Sequence, residues 1–180
     1  LRQEKKSMLE NRLQKRLRTL GLKCFSDYYQ LVLSQAEESQ YFIDQITTNE
    51  THFFREIDHF HFLEKHILPR VDKNFRVWSA ASSNGSEIYS LAMLCEHFFS
   101  GKNIQTSYIA SDINLEVLEC AANGVYPLLE SQKIPPNFLQ KFALKGLGSE
   151  EGSFLISESL RDKIQFFQFL LGRFRSLVRF

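Results

Sequence analysis

The residues best suited to chemistry in this chain follow two predicted strands. Residues 75–79 form the first strand and run into the small-residue loop AASSNG, and residues 107–111 form the second and run into Asp112. Small residues let a backbone approach a ligand closely, and the next helix presents free N–H groups at its positive end. An acid at the second strand tip can accept hydrogen bonds from both hydroxyls of a ribose. The pattern predicts a nucleotide-like ligand at this sheet edge.

This motif is looser than a full dinucleotide-binding fingerprint. Gly85 is the only glycine of the loop, and it lies 27 residues before Asp112, where the fingerprint has about 20. An ordinary strand-to-helix turn is therefore an alternative interpretation of the loop. Asp112 could also cap the following helix, although Asn114 is already available for that role.

The stretch TTNETHFFRE, residues 47–56, allows three interpretations. Asn49-Glu50-Thr51 matches an N-glycosylation acceptor. His52, Glu56 and His59 are spaced by four and three, so on one helix they would share a face as metal ligands do. The H-E-x-x-H pattern is absent and apolar residues interleave the histidines, so we expect no metal here. The remaining interpretation is one wall of a pocket for a polar ligand.

Composition and charge indicate the cellular compartment and the kind of partner. The three cysteines are far apart and never form a C-x-x-C pair, which favours a reducing compartment, and no apolar run is long enough for a membrane span. We therefore expect a cytoplasmic protein with no membrane insertion, in which the N-glycosylation acceptor sequence is accidental.

From Arg2 to Lys23 there are eight Lys and Arg against two Glu, which indicates a negatively charged partner. Nucleic acid is disfavoured because no nucleic-acid motif accompanies this patch.

Periodicity places these residues on elements. Leucines at helical spacing predict an amphipathic helix ending at Gly21, a second helix over 26–38 and a short third one through residue 46. A further helix is predicted over 53–68, ended by Pro69. Helices over 86–99 and from Asn114 to Gly124 flank the second strand, and the loop KGLGSEEG indicates a small β insertion. Strand, turn, helix, strand and acid together predict the opening half of a nucleotide-binding α/β fold.

Several motifs in register resemble one family. NRLQKRLRTLGL, ITTNETHFFRE, FRVWSAASSNGSEIYSLA, ASDIN and ANGVYP are similar, in order and spacing, to CheR-type chemoreceptor methyltransferases over residues 5–169. The resemblance implies an α/β fold with a small helical N-terminal receptor-binding domain, 1–46. A Rossmann-like S-adenosylmethionine methyltransferase domain would occupy 47–180, with a β insertion at 127–160.

The resemblance also implies a reaction and a donor site. In that family S-adenosylmethionine methylates glutamate side chains of chemotaxis receptors, giving glutamyl methyl esters without a metal. Arg55 would be the catalytic residue, and the donor-binding residues would be Asn49, Thr51, Arg55, Glu87 and Asp112. An ionised carboxylate and a sulfonium are both ready to react, so the displacement needs positioning more than a strong base.

The implied partner is the cytoplasmic domain of a chemotaxis receptor. Its acidic bundle would meet the basic helix residues Arg12, Lys15, Arg16 and Arg18. The Gly146–Gly152 loop matches the β subdomain that captures a receptor-tail peptide in some members. We expect the protein to act as a monomer.

Two departures from the family pattern bear on activity. The usual G-E-E-P-Y-S is replaced by residues 85–90, GSEIYS, which retain Glu87. The usual N-L-L element becomes Phe169-Leu170-Leu171, and no R-N-x-x-x-Y-F segment follows. We therefore interpret the chain as a member that is shortened or frame-disrupted at its C-terminus, expected to bind the donor weakly and to methylate poorly. The alternative is a catalytically inactive receptor-binding remnant.

Overall fold

The structure is a computed structural model that describes residues 3–170 and 173–176. The chain divides into two compact units, Leu1–Thr48 and Asn49–Phe180. The first unit is helical and the second is an α/β unit with two sheets. No helix in the described part of the chain is long and apolar enough to cross a membrane.

The helical unit consists of α1 (Gln3–Leu20), α2 (Phe25–Ser34) and α3 (Ala36–Ile46). Gly21 ends α1 with a positive φ of 68°, as predicted. The second helix predicted over 26–38 is wrong at its end, because the backbone is extended at Gln35 (φ −123°, ψ 120°) and separates α2 from α3. The break folds α3 back, and Leu17 and Tyr28 are buried within this unit.

The α/β unit begins with a turn where a helix was predicted. Phe54 and Glu56 adopt left-handed backbone conformations, so α4 begins only at Ile57 (Ile57–Phe62). It continues through a π-helical turn, Leu63–Ile67, and a 3-10 turn, Leu68–Arg70. The predicted helix over 53–68 is therefore wrong at its start. Phe53 and Phe54 point into the core instead, with 1% and 7% of their surfaces exposed.

The main sheet has the strand order β1-β2-β6-β7. Its strands are β1 (Asn74–Ala80), β2 (Gln105–Asp112), β6 (Ile164–Leu170) and β7 (Arg173–Ser176). The first three are parallel and β7 is antiparallel to β6. Helices α5 (Ser86–Phe98) and α6 (Leu115–Asn123) follow β1 and β2. This is the α/β architecture that the sequence predicts, with both strands and both helices in place.

Within residues 3–170 and 173–176, helices α5 and α6 cover one face of this sheet. Ile88 and Ala92 of α5 and Leu118 of α6 are fully buried against Tyr108 and Ala110 of β2. Burying these apolar side chains stabilises the fold by about 25 cal/mol per Å² removed from water.

A second, three-stranded antiparallel sheet has the order β3-β5-β4. Its strands are β3 (Val125–Pro127), β4 (Ala143–Lys145) and β5 (Ser153–Ile156), and α7 (Pro136–Phe142) and α8 (Glu158–Arg161) flank it. The ring of Phe154 stacks on that of Tyr126 with centroids 5.6 Å apart. The Phe53 ring packs against the same tyrosine in a T-shaped arrangement, with centroids 4.9 Å apart. These aromatic contacts join the small sheet to the 53–54 turn.

Candidate functional site

The loop after β1 lies against the carboxyl end of β2. Ser82 donates its N–H to the Ser111 carbonyl (2.9 Å), and Ser83 donates its N–H to Oδ2 of Asp112 (2.8 Å). Ala81 and Ser83 hold positive φ angles of 61° and 50°. Such strained residues cost about 1 kcal/mol or more each and cluster where a backbone must meet a ligand. Hydrogen bonds therefore hold the loop at the predicted sheet edge in a strained backbone conformation of the kind found at ligand-binding sites.

Asp112 organises both loops at this edge. Its side chain is buried, and its Oδ1 accepts the N–H of Asn114 at 2.9 Å while its Oδ2 accepts that of Ser83. A carboxylate has about four acceptor positions, so two N–H groups leave capacity for two hydroxyls. Asn114 caps α6 by accepting the Val117 N–H (3.1 Å). Asp112 is thus not the helix cap, and its carboxylate retains the capacity that a diol needs.

Gly85 is required for packing as much as for ligand approach. A Cβ there would lie 2.8 Å from the Cβ of Ala121 and 3.2 Å from Oη of Tyr126, and its φ is 84°. Tyr126 donates its hydroxyl to the Asn84 carbonyl (2.6 Å), and burial raises its pKa well above the ordinary value. No role was predicted for this tyrosine from the sequence, although it lies in the family motif ANGVYP. It holds the loop from the side of α6.

Glu87 lies in the first turn of α5, with its side chain exposed. Its Oε1 accepts the hydroxyl of Ser79 at 2.6 Å, and Ser79 is buried near the carboxyl end of β1. This hydrogen bond places Oε1 of Glu87 beside β1, and Oε2 takes no part in it. Glu87 therefore belongs to the same sheet edge as the loop.

The segment that precedes α4 is connected to this edge through its backbone. Ser83 donates its hydroxyl to the Asn49 carbonyl (3.2 Å), and the Phe54 N–H donates to Oγ of the buried Ser90 (2.9 Å). Asn49 and Thr51 are half-buried. Arg55 is exposed and donates from Nη1 to the Glu50 carbonyl (2.9 Å) within its own segment. The structure thus brings Asn49 to Ser83 and Asp112, and places Arg55 at the surface of the adjoining turn.

The histidine alternative depended on one shared helical face. That face is not formed, because α4 begins after Glu56 and His52 lies on the preceding turn, where its Nδ1 is 3.0 Å from the Phe53 carbonyl oxygen. Within residues 3–170 and 173–176, no group of three or more His, Cys, Asp or Glu side chains could hold a metal ion.

The four basic residues of α1 have different environments. Arg16 makes a bidentate ion pair with the buried Glu38 of α3, with Nε 3.0 Å from Oε1 and Nη2 2.6 Å from Oε2. It also lies over the Tyr41 ring, 4.1 Å from the centroid. Its hydrogen bonds lower the pKa of Glu38, against the effect of burial. Arg16 is therefore held by contacts within its own unit.

The other three basic residues remain at the surface. Arg12 donates from Nη1 to the Gln45 carbonyl (2.8 Å) but is exposed, as are Lys15 and Arg18. These three side chains can contact an outside partner.

The Gly146–Gly152 loop, for which the resemblance implied peptide capture, borders a groove of about 360 Å³ beside β3. The groove is lined by residues that include Val125, Pro127, Glu150, Gly152 and Ser153. Gly146 makes the turn possible, because a Cβ there would lie 2.1 Å from the Glu150 carbonyl oxygen.

The parallel sheet, the fixed loop and the acid at the second strand tip define an α/β domain of the class that binds nucleotide-like ligands. Comparison with known families then gives the particular family. The CheR methyltransferase SAM binding domain matches residues 49–175, and the CheR methyltransferase all-alpha domain matches residues 1–47. The chain belongs to the CheR methyltransferase family.

Curated relatives agree with this assignment. A chemotaxis protein methyltransferase of Escherichia coli K12 is 40% identical over 168 residues, which cover 92% of this chain and 58% of the relative. Chemotaxis protein methyltransferase 2 of Pseudomonas aeruginosa is 35% identical over 93% of this chain and 61% of its own length. The Borreliella burgdorferi relative is 33% identical over 92% and 62%. The chain thus spans about three fifths of the relatives that it matches.

Proposed function

We propose that this protein transfers a methyl group from S-adenosylmethionine to glutamate side chains of a chemotaxis receptor. Family membership supports methyl transfer from this donor. The observation that carries the proposal is the double anchoring of Ser83, which bonds Asp112 through its N–H and Asn49 through its hydroxyl. It joins two segments at the edge where an α/β sheet binds a nucleoside.

The donor would lie along this edge. Asp112 accepts hydrogen bonds from the ribose hydroxyls with its spare lone pairs, and the N–H end of α5 faces the polar part of the donor. Asn49 and Thr51 provide the wall on the other side of the loop, and Glu87 attracts the cationic end of the donor. These assignments give each residue a contact that its chemistry supports.

The chemistry requires positioning and no metal. A carboxylate oxygen of the acceptor attacks the methyl carbon, the O–CH₃ bond forms as the S–CH₃ bond breaks, and S-adenosylhomocysteine leaves with the sulfur electron pair. No proton moves, because the acceptor is ionised at neutral pH. The exposed guanidinium of Arg55 can hold a carboxylate by two parallel hydrogen bonds. We assign it the orientation of the acceptor or of the donor carboxylate.

Receptor contact is assigned to the exposed cations of α1. Lys15, Arg18 and Arg12 present positive charge to an acidic helical bundle, whereas Arg16 supports α1 from inside through Glu38. Reversing Lys15 and Arg18 to glutamate would weaken receptor binding and reduce its salt dependence. A receptor-tail peptide is assigned to the groove beside the Gly146–Gly152 loop. The protein is further proposed to act as a cytoplasmic monomer.

The test combines donor binding with methyl transfer. Ligand-observed NMR with millimolar S-adenosylmethionine detects even weak binding, and mass spectrometry of receptor membranes detects a gain of one methyl ester per modified glutamate. Arg55→Ala should abolish transfer, and Arg55→Lys should recover part of it if the guanidinium positions a carboxylate. Retained donor binding in Arg55→Ala would assign Arg55 to the acceptor carboxylate, and lost donor binding would assign it to the donor carboxylate. Receptor pull-down without any transfer would instead support the receptor-binding alternative. Absence of both donor and receptor binding would overturn the proposal.

A further inference from the structure

The hydroxyl of Ser82 is buried without a hydrogen-bond partner in the part of the chain that the structure describes. Ser82 lies in the loop after β1 and is 2% exposed. Its N–H donates to the Ser111 carbonyl (2.9 Å), and its own carbonyl accepts the N–H of Gly85 (3.0 Å). Both backbone groups of Ser82 are therefore used to hold the loop, whereas the side-chain oxygen is not.

Other serines of this region differ from Ser82 in this respect. Ser83 donates its hydroxyl to the Asn49 carbonyl (3.2 Å). The hydroxyl of Ser90, which is also buried, donates to the Ser86 carbonyl (2.6 Å). Buried hydroxyls are normally paired, because an unpaired one lowers the stability of the folded chain. For packing alone, alanine would be the better residue at position 82.

The backbone around this hydroxyl is strained as well. Ala81 and Ser83, on either side of Ser82, have φ angles of 61° and 50°. Non-glycine residues adopt such angles at a cost, and they cluster at positions that contact ligands. A ligand that supplied the missing acceptor would remove the cost of the unpaired hydroxyl. The unpaired oxygen therefore points to a polar ligand group at this loop.

The neighbouring helix indicates the charge of that group. Gly85 is the residue before α5, so its hydrogen bond to the Ser82 carbonyl places Ser82 beside the start of that helix. The N-terminus of a helix favours an anion, and a hydroxyl donates a strong hydrogen bond to a carboxylate. The amino-acid end of S-adenosylmethionine carries a carboxylate. Its ribose has an acceptor of its own in Asp112, as proposed above.

We propose that the hydroxyl of Ser82 donates a hydrogen bond to the carboxylate of S-adenosylmethionine. Because Oγ is enclosed, it reaches the donor by a turn about the Cα–Cβ bond or a small shift of residues 81–83. Ser82 then favours donors with a complete amino-acid group over shorter nucleosides. This inference rests on the proposed function, since it names a further contact of the same donor site.

Three related ligands test this contact by NMR titration of the whole chain. S-adenosylmethionine has the carboxylate, decarboxylated S-adenosylmethionine lacks it, and 5′-methylthioadenosine lacks the entire amino-acid group. Ser82→Ala should weaken binding of S-adenosylmethionine about tenfold. Its affinities for the other two ligands should equal those of wild type. Ser100→Ala, at an exposed position beyond α5, is the control and should bind all three as wild type does.

Thermal melting separates a binding role from a structural one. Ser82→Ala removes an unpaired hydroxyl, so it should melt no lower than wild type. Ser90→Ala removes a paired one, which also accepts the Phe54 N–H, and should melt lower. Ser82→Cys keeps the shape of the side chain but is a weak donor. It should lose affinity as Ser82→Ala does, and it replaces that variant if Ser82→Ala does not fold.

Three outcomes would overturn the inference. Unchanged affinity of Ser82→Ala for S-adenosylmethionine would mean that bound water satisfies the hydroxyl. Equal losses for all three ligands would place its contact at the nucleoside or in the loop itself. Equal losses for S-adenosylmethionine and its decarboxylated form alone would assign it to the ammonium. In each case wild type still binds the donor, whereas a folded wild-type chain that did not bind it would contradict the proposed function too.

Discussion

Arg16 in the helical unit and Asp112 in the α/β unit were both predicted to face a ligand or partner. In the structure the two side chains differ in how many of their hydrogen-bonding positions are already used. Arg16 pairs with the buried Glu38 through two hydrogen bonds and lies over the Tyr41 ring. Asp112 is more deeply buried than Arg16 but accepts two backbone N–H groups from the described part of the chain. Burial alone therefore does not decide whether a charged residue is available.

The hydrogen-bonding capacity that remains on a charged side chain decides whether it is available to a ligand. A guanidinium held in a bidentate pair and stacked on a ring has its plane and one edge occupied. A carboxylate with two N–H partners keeps about half of its acceptor positions. We therefore expect changes at Arg16 to affect stability, whereas changes at Asp112 should affect ligand binding as well as the two loops that its carboxylate anchors.

The largest expected effect is on the stability of the helical unit. Arg16→Ala leaves the Glu38 carboxylate buried without its cation, which should lower the free energy of unfolding by about 3 kcal/mol. Urea unfolding of the full chain, with amide exchange over residues 3–48 to locate the loss, measures it. Arg18→Ala is the control, because Arg18 is exposed and should change stability by less than about 0.5 kcal/mol. Equal losses in the two variants would contradict the distinction.

A somewhat smaller effect is expected on donor affinity. Asp112→Ala removes the acceptor for two ribose hydroxyls, which should weaken S-adenosylmethionine binding by about 2 kcal/mol, or roughly 30-fold. NMR titration of the donor measures this loss. Asp72→Ala, at an exposed position before β1, is the control and should bind as wild type does. If Asp112→Ala retained wild-type affinity, the ribose assignment would be wrong.

Asn114 provides a contrast next to Asp112. Its side chain caps α6, so Asn114→Ala should destabilise the α/β unit by about 1 kcal/mol. The affinity of this variant for the donor should equal that of wild type, because the backbone N–H of residue 114 still donates to Asp112. Chemical unfolding and the donor titration are compared with Asn103→Ala, at an exposed loop position. A larger loss of affinity than of stability would mean that Asn114 itself contacts the donor.

The smallest expected effect is on pH dependence. Because Arg16 lowers the pKa of Glu38 in the folded chain, the pair contributes fully above the ordinary glutamate pKa of 4.5. This stability is lost as the pH falls from there through the lowered folded value. Amide exchange in the helical unit as a function of pH follows the loss, and Glu38→Gln should remove that part of the dependence. An unchanged profile in Glu38→Gln would show that another group titrates.

Local patterns predicted much of the α/β unit. The two strand positions, helices α5 and α6, the Asn114 cap and the glycine that ends α6 follow from periodicity and capping preferences. Local patterns failed at Gln35 and at Phe54 and Glu56, where nothing in the nearby sequence signals an extended or left-handed residue. There the packing of distant side chains, such as Phe53 against Tyr126, overrides helix propensity.

By itself the sequence determined the fold class, the family motifs and the sheet edge where Asp112 lies, because hydrophobic period and strand-to-helix turns are local. The tertiary structure alone decided which charged side chains are already engaged in hydrogen bonds within the chain. Arg16 and Glu38 are 22 residues apart, and Ser83 and Asn49 are 34 apart. Contacts at such separations depend on how helices and loops return to one another, and no spacing rule along the chain encodes them.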